Sequence, residues 1–282
     1  MNSLFPLEVS DHNRNSAGMT YVYPVLSRRA GGVSIGINLN PNNACNWRCI
    51  YCQVPELTRG AAPAIDLQQL ERELRQLLSD ILHGDFMQLH VAANARRLED
   101  IAFSGNGEPT SSSEFAEAVA LVETVLRDSG LLGQIKLRLI TNGSLLDRPG
   151  VLEGIAHLAR CNGEVWFKVD AATTEGIARI NDVHLKPEGV LQRLRSCAQH
   201  CPTWVQTCVF ALDGLSPDET EIHAYLDLLQ QAASDIAGVH LYGLARPSMQ
   251  PEGPRLARLP AEWLEELARR IRRLNIEVRV SP

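Results

Sequence analysis

The chain has 282 residues, of which 45% are hydrophobic and 21% are charged, a composition that excludes a fibrous or intrinsically disordered protein. Its formal net charge of −6 argues against nucleic acid as the main partner, although it leaves room for a local basic patch. No apolar run approaches the ~20 residues of a membrane span, and the N-terminus lacks the basic start and apolar core of a secretory signal. We therefore expect a cytoplasmic protein.

Short β-branched runs alternate with amphipathic helices along the chain. The first strand is predicted at 33–39. Asp66 is expected to cap the helix that follows, and Gly84 to end it, because leucines recur between them at helical spacing. Further strands are predicted at 100–104, 135–140, 164–169, 204–212, 239–244 and 276–280.

The later helices are identified from their first turns. Ser111 with Glu114, and Ser216 with Glu219, have the spacing of a capping box, which predicts two helix starts. Other helices are expected near 149, from 174 to about 200, and from 260. Strict alternation of strands and helices implies a parallel sheet with right-handed crossovers.

The length limits the number of strand–helix units. A closed barrel of eight units needs roughly 250 residues, whereas the first helix here begins only after Asp66. Six units fit better, in either an open doubly wound sheet or a partial barrel.

Three of the seven cysteines form the loop sequence Cys45-Asn-Trp-Arg-Cys49-Ile-Tyr-Cys52. An odd cysteine count and the absence of an export signal argue against disulfides, so clustered cysteines point to a metal. Structural zinc takes four protein ligands, and an ordinary four-iron cluster takes four thiolates. Three thiolates therefore favour a four-iron cluster with one open iron. The alternatives are a zinc site completed by a distant histidine, or simply buried cysteines.

This CX3CX2C spacing, with an aromatic residue before the last cysteine, resembles the signature of the radical S-adenosylmethionine (SAM) superfamily. The resemblance implies that Cys45, Cys49 and Cys52 bind a [4Fe–4S] cluster whose open iron holds SAM, and that Tyr51 lies near the adenine. It also implies reductive cleavage of SAM to methionine and a 5′-deoxyadenosyl radical, which abstracts hydrogen from a substrate. A reducing partner such as flavodoxin or ferredoxin would supply the electron.

The segment after the second strand, Ser104-Gly-Asn-Gly-Glu-Pro109, resembles the Gly-Gly-Glu segment of the same family. Gly107 and Glu108 match it, and Asn106 replaces the first glycine. The resemblance implies that this segment binds the methionine amino group of SAM, since glycine allows close backbone approach and a carboxylate accepts from an ammonium. The alternative is a polar turn before a helix.

Polar residues also end the later strands. Asn142 follows the third strand, Lys168 and Asp170 the fourth, and Arg246 the sixth. The family often places contacts to the ribose and carboxylate of SAM at such positions, which makes Asn142, Lys168 and Asp170 candidate cofactor-binding residues. Because functional groups of parallel barrels gather at the C-terminal strand ends, this placement favours a partial (β/α)6 barrel.

Lys168 and Arg246 are the candidate catalytic residues. Lys168 is interpreted as an electrostatic contact to SAM or substrate rather than as a Schiff-base lysine. Burial can shift the pKa of a lysine enough for either role. Arg246 is either a bidentate clamp for a carboxylate or phosphate, or a surface ion pair.

The chain is predicted to divide into an N-terminal extension, residues 1–32, which covers the barrel, and a core, residues 33–282. Within the extension, 12–32 includes Tyr23, Arg28 and Arg29 as candidates to cover the site. The stretch 84–98 is too long for a simple connection. It is a second candidate cover, although a packing appendage is the favoured interpretation.

Four cysteines lie outside the loop: Cys161, Cys197, Cys201 and Cys208. One hypothesis is that Cys197, Cys201 and Cys208 hold a second iron–sulfur cluster. Cys197 and Cys201 are expected at the end of a helix, and Cys208 in the middle of the next strand. At ~3.3 Å per strand residue, the pair and Cys208 would lie on the order of 15–20 Å apart, a distance that a four-iron cluster does not bridge. We therefore expect four buried, free thiols.

Several segments, among them GINLNPNNACNWRCIYCQ and FKVDA, resemble a group of iron–sulfur oxidoreductases related to the tRNA wyosine-synthesis enzymes. Those enzymes carry a second cluster on upstream cysteines, whereas no cysteine precedes Cys45. We therefore predict a radical SAM enzyme whose substrate the motif does not identify. The alternatives are a tRNA-base-modifying enzyme, a non-catalytic iron–sulfur carrier and a SAM-binding sensor; a carrier gains nothing from an open iron.

Overall fold

A computed structural model describes Leu7, residues 18–27 and residues 31–282. Within these residues, eight strands form one sheet and follow one another across it in chain order. They are β1 (Val22–Ser27), β2 (Gly32–Ile37), β3 (Leu98–Phe103), β4 (Lys136–Thr141), β5 (Gly163–Lys168), β6 (Thr203–Val209), β7 (Gly238–Gly243) and β8 (Val278–Ser281). Strands β2 to β8 run parallel, whereas β1 pairs antiparallel with β2.

Helices cover the outer face of this sheet. They are α1 (Leu67–His83), α2 (Phe86–His90), α3 (Phe115–Asp128), α4 (Pro149–Arg160), α5 (Thr174–Asn181), α6 (Pro187–His200), α7 (Glu219–Ala232) and α8 (Ala261–Arg272). The sheet curls into a half-barrel, which confirms the predicted partial (β/α)6 barrel. No helix among the described residues is long and apolar enough to span a membrane.

The first helix begins and ends where the sequence predicts. The Asp66 side chain accepts a hydrogen bond from the Gln69 amide at 3.0 Å, which satisfies one of the free N–H groups of the first turn. Leu70, Leu74 and Leu77 are buried on one face. Gly84 is the C-cap.

The two predicted capping boxes are wrong. Ser111 lies in a 3-10 turn, Pro109–Ser111, where its hydroxyl donates to the Glu108 carbonyl, and α3 begins only at Phe115. The second box fails because Asp218, next to the helix, accepts from the Glu221 amide at 2.8 Å and caps α7.

Two strand boundaries also differ from prediction. The predicted strand 204–212 divides, because β6 ends at Val209 and Ala211–Leu212 pairs instead with Leu256–Ala257. The predicted extension contributes β1 to the sheet. The division at residue 32 otherwise stays a prediction, and Arg28 and Arg29 lie outside the described residues.

The interior of the half-barrel is filled toward the N-terminal ends of the strands. The His240 ring lies between two indoles, with ring centroids 4.5 Å from Trp166 and 4.7 Å from Trp204. Beside them, the Arg138 guanidinium contacts Asp100 and lies 2.6 Å from a Glu164 carboxylate oxygen. These groups fill the half of the interior nearest the N-terminal strand ends, and a cavity remains at the C-terminal strand ends.

The helix cap gives a direct test of the fold. We expect Asp66→Ala to lower the free energy of unfolding by about 1 kcal/mol, since it removes the acceptor for the Gln69 amide. Asp66→Asn keeps a capping oxygen and serves as the matched control. Urea unfolding followed by circular dichroism measures both, and equal stability of the two variants would contradict the assigned cap.

Candidate functional site

A cavity of about 310 Å3 opens at the C-terminal ends of the strands. Nine of the ten residues predicted for the site line it: Cys45, Cys49, Tyr51, Cys52, Gly107, Glu108, Asn142, Lys168 and Arg246. Asp170 is not among the lining residues. The stretch 84–98 contributes none of them either, and its buried Phe86 packs into the hydrophobic core.

The cysteine loop is fixed at several points by groups from distant parts of the chain. Arg48 forms a two-pronged ion pair with Glu252, both nitrogen–oxygen distances being 2.9 Å, and also pairs with Asp182. The Ile50 amide donates to the Ile180 carbonyl at 2.9 Å. The backbone of the loop is therefore set before any ligand binds.

The loop thiols sit in an environment suited to metal-bound sulfur. Burial raises the pKa of Cys45 to about 11 and that of Cys49 to about 12, so without a metal both are neutral thiols. The Trp47 amide donates to Cys45 Sγ at 3.4 Å, and the Asn181 side-chain amide donates to Cys49 Sγ at 3.3 Å. Such N–H donors stabilise thiolate sulfur once a metal has displaced the proton.

The spacing of the three thiols distinguishes a cluster from a single ion. Among the described residues, Cys45, Cys49 and Cys52 do not form a group whose ligand atoms all lie within 4.8 Å of one another. Thiols that bind separate irons of a cluster lie farther apart than ligands of one ion. Three thiols on one cavity wall thus fit a [4Fe–4S] cluster better than one zinc ion.

Glu108 is buried and its carboxylate is held by the protein itself. One oxygen accepts from the Thr110 and Thr141 hydroxyls, both at 2.6 Å, and the other accepts from the Asn142 amide at 2.7 Å. Burial raises the pKa of Glu108 above its ordinary value, although these hydrogen bonds oppose the shift. The carboxylate thus joins the ends of β3 and β4, whether or not it also meets a ligand.

Lys168 is a charged side chain within the cavity wall. Its ammonium lies 3.3 Å from Asp170, contacts the Tyr51 hydroxyl and lies 4.6 Å from the centre of the Tyr51 ring. Burial is the largest influence and favours the neutral amine, but Asp170, Tyr242, Cys49 and Cys208 together outweigh it and hold the pKa of Lys168 above its ordinary value. An amine held in its charged form is a poor nucleophile, which argues against a Schiff base.

Asp170 lies behind the cavity wall and makes its contacts to the protein. Besides Lys168, it accepts from the Asn181 side-chain amide at 2.9 Å and from the Cys208 backbone amide at 3.1 Å. It therefore orients Lys168, and also Asn181, which donates to Cys49.

The two other predicted residues also bind neighbouring loops. The Asn142 side chain donates to Asn46 in the cysteine loop at 2.9 Å. The Arg246 guanidinium donates to Gln53 at 3.1 Å and lines the cavity.

Sequence reasoning missed three residues of the opposite wall: Gln206, Cys208 and Tyr242. The Gln206 amide donates to the Tyr242 hydroxyl at 3.0 Å, and the other amide atom, Oε1, is buried with no hydrogen-bond partner in the described part of the chain. Alternation along β6 places Gln206 and Cys208 on one side, but identifying that side as the interior requires the curl of the sheet. The other three cysteines outside the loop are buried away from the cavity.

A family model of the radical SAM superfamily matches residues 39–229 of the chain. The UPF0026 protein of Methanocaldococcus jannaschii is 30% identical over 161 residues, which cover 57% of this chain and 43% of that protein. The GTPase Obg of Brachyspira hyodysenteriae is 27% identical over 123 residues, which cover 44% of this chain and 15% of that protein. The chain thus spans less than half the length of either relative.

The fold also occurs in a solved structure. A radical SAM methyltransferase from Sphaerobacter thermophilus superposes with a TM-score of 0.56 at 14% sequence identity. The superposition covers 92% of this chain and 68% of the methyltransferase. The similarity shows a shared fold.

The variant Glu108→Ala tests whether Glu108 binds a ligand, stabilises the cavity wall, or does both. It leaves the Asn142 amide and two buried hydroxyls without their acceptor, so we expect the free energy of unfolding to fall by roughly 1–3 kcal/mol. Loss of a charge-assisted bond to the SAM ammonium would also weaken SAM binding about tenfold. Denaturant unfolding and SAM titration of cluster-loaded protein measure the two effects.

The control is Glu114→Ala, which removes a partly exposed carboxylate bonded to Ser112 and Ser113. We expect that variant to keep its SAM affinity. Unchanged SAM affinity in Glu108→Ala, together with lower stability, would assign the carboxylate a purely structural role.

Proposed function

The chain belongs to the radical SAM superfamily, enzymes that use a [4Fe–4S] cluster and SAM, and we propose that Cys45, Cys49 and Cys52 hold the cluster here. The proposed reaction cleaves SAM to methionine and a 5′-deoxyadenosyl radical, which removes a hydrogen atom from a substrate. When bound, the reduced cluster supplies the electron that breaks the C5′–S bond. A one-electron donor such as flavodoxin or ferredoxin is the proposed partner.

One observation carries this proposal: three thiols from one short loop line the same cavity as the polar groups at the ends of β3, β4 and β5. The cavity's fourth thiol, Cys208, belongs to β6 and not to the loop. The thiols of the loop are therefore a set of three. Such a set leaves one position of a four-iron cluster for SAM, which a carrier of electrons does not need.

Lys168 provides the positive charge that an anionic site needs. Its ammonium opposes the rise in the pKa of Cys45 and of Cys49, so it favours their thiolate forms. Asp170 fixes its position at 3.3 Å. We propose that Lys168 balances the charge of the thiolates and of the SAM carboxylate, and that it forms no covalent bond with substrate.

The substrate is proposed to present an uncharged polar group to the reactive part of the cavity. The wall formed by β6 and β7 offers an amide, a thiol and a phenol, from Gln206, Cys208 and Tyr242. The buried Gln206 Oε1 lacks a partner within the described residues, and a substrate N–H or O–H group would satisfy it once the side chain turns toward the cavity.

A tRNA base is not the substrate we propose. Among the described residues, the cations that line the cavity are Lys168 and Arg246, and both are bound to groups of the chain itself. Nucleic-acid binding depends on cations that neutralise phosphates. The tRNA-modifying alternative therefore has no support from the cavity.

The test is reductive SAM cleavage by anaerobically reconstituted protein. With dithionite, the wild-type chain should form methionine and 5′-deoxyadenosine, slowly in the absence of substrate. Cys49→Ala should lose both the brown absorbance of the cluster and the 5′-deoxyadenosine product, because a ligand is missing. Absorbance spectra and liquid chromatography give the two readouts.

Cys197→Ala is the matched control, because that thiol is buried away from the cavity. It should keep both the absorbance and the cleavage. Cluster-loaded wild-type protein that binds SAM but never cleaves it would refute the proposed reaction and favour a SAM sensor.

A further inference from the structure

A second group of metal-ligating side chains lies on the helical layer, away from the cavity. It consists of Glu123 in α3, His157 in the last turn of α4, and Cys161, the C-cap residue of α4. Cys161 precedes β5, so the group lies toward the N-terminal strand ends, opposite the cysteine loop.

The three side chains converge because of helix geometry. His157 and Cys161 are four residues apart and therefore project from the same face of α4. That face packs against α3, where the Glu123 carboxylate contacts His157 Nε2. The ligand atoms of all three residues lie within 4.8 Å of one another.

This spacing is close to what one metal ion requires. Zinc binds sulfur at about 2.3 Å and nitrogen or oxygen at about 2.0–2.2 Å, which places tetrahedral ligand atoms roughly 3.3–3.8 Å apart. Small side-chain rotations suffice to bring Glu123, His157 and Cys161 to that spacing. We propose that these three residues bind a zinc ion, with a water molecule as the fourth ligand.

The donor set selects zinc over harder cations. One imidazole nitrogen, one thiolate and one carboxylate oxygen form a mixed set that magnesium and calcium do not favour, since both prefer oxygen. Cys161 is buried, whereas the Glu123 and His157 side chains are 23% and 20% exposed. The ion can therefore enter from solvent past the histidine and the carboxylate.

Nearby arginines limit the strength of this site. Arg127 pairs with the other oxygen of Glu123, and Arg160 also acts electrostatically on that carboxylate. Both cations oppose the binding of a third. We therefore expect an open site, completed by water, that a chelator empties more readily than a structural zinc site with four protein ligands, and that takes no part in SAM cleavage.

The experiment uses the full chain in which Cys45, Cys49 and Cys52 are all replaced by alanine, so that zinc does not occupy the cysteine loop. After incubation with zinc and gel filtration, elemental analysis should find about one zinc per chain. Adding His157→Gln, or separately Cys161→Ser, should lower that content at least tenfold. Cobalt in place of zinc should give the absorption of a cobalt–thiolate bond only while Cys161 is present.

Cys197→Ser in the same background is the control, because it changes a buried thiol outside the group. It should keep one zinc. Glu123→Gln, which alters a half-buried side chain, is the second variant if Cys161→Ser fails to fold, and circular dichroism identifies folded samples. Absence of bound zinc in the background chain would overturn the site, as would equal zinc in the folded variants and the control.

A variant that keeps the three loop cysteines tests whether the zinc site is independent of the proposed reaction. His157→Gln in the otherwise natural chain should keep the iron content and the yield of 5′-deoxyadenosine. Loss of SAM cleavage in that variant would contradict a zinc site that is independent of the catalytic cavity.

Discussion

A half-barrel has to fill its own concave face, and this requirement determines where the site lies. The lower interior is closed by the stacked rings of Trp166, His240 and Trp204 and by the ion pairs of Arg138 with Asp100 and Glu164. Buried charges of this kind are stable only when they are paired and hydrogen-bonded. The cavity lies at the C-terminal strand ends, where the cysteine loop lines it.

The two charged side chains Glu108 and Lys168 have partners within the protein before any ligand arrives. Glu108 is held by hydroxyl and amide donors, and Lys168 is held by Asp170. Preformed pairs of this kind spare a ligand the cost of reorganising the site, since the dipoles already point where charge will be placed. The same contacts offset part of the cost of burying these side chains.

Much of this arrangement could be predicted from the sequence, because parallel strands bring their C-terminal ends together. Cys45, Glu108 and Lys168 line one cavity for that reason. What the sequence could not supply is the partner of each side chain. Asp170 bonds to Lys168 and Asn181, while its contact to the cofactor stays a prediction, and the Ser111 hydroxyl bonds to the Glu108 carbonyl instead of capping a helix. Spacing alone does not reveal these partners, even where, as with Ser111 and Glu108, they are three residues apart, because the local backbone conformation selects among several possible bonds.

The two edge strands, β1 and β8, each have a neighbour on one side only within the described residues. A closed barrel can widen only by breaking main-chain hydrogen bonds between adjacent strands. Here the opening is spanned instead by the cysteine loop, whose Cys52 carbonyl accepts from the Met249 amide at 2.9 Å and whose Arg48 pairs with Glu252. The width of the opening is therefore set by these loop contacts, which take the place of the strand ladder that closes a full barrel.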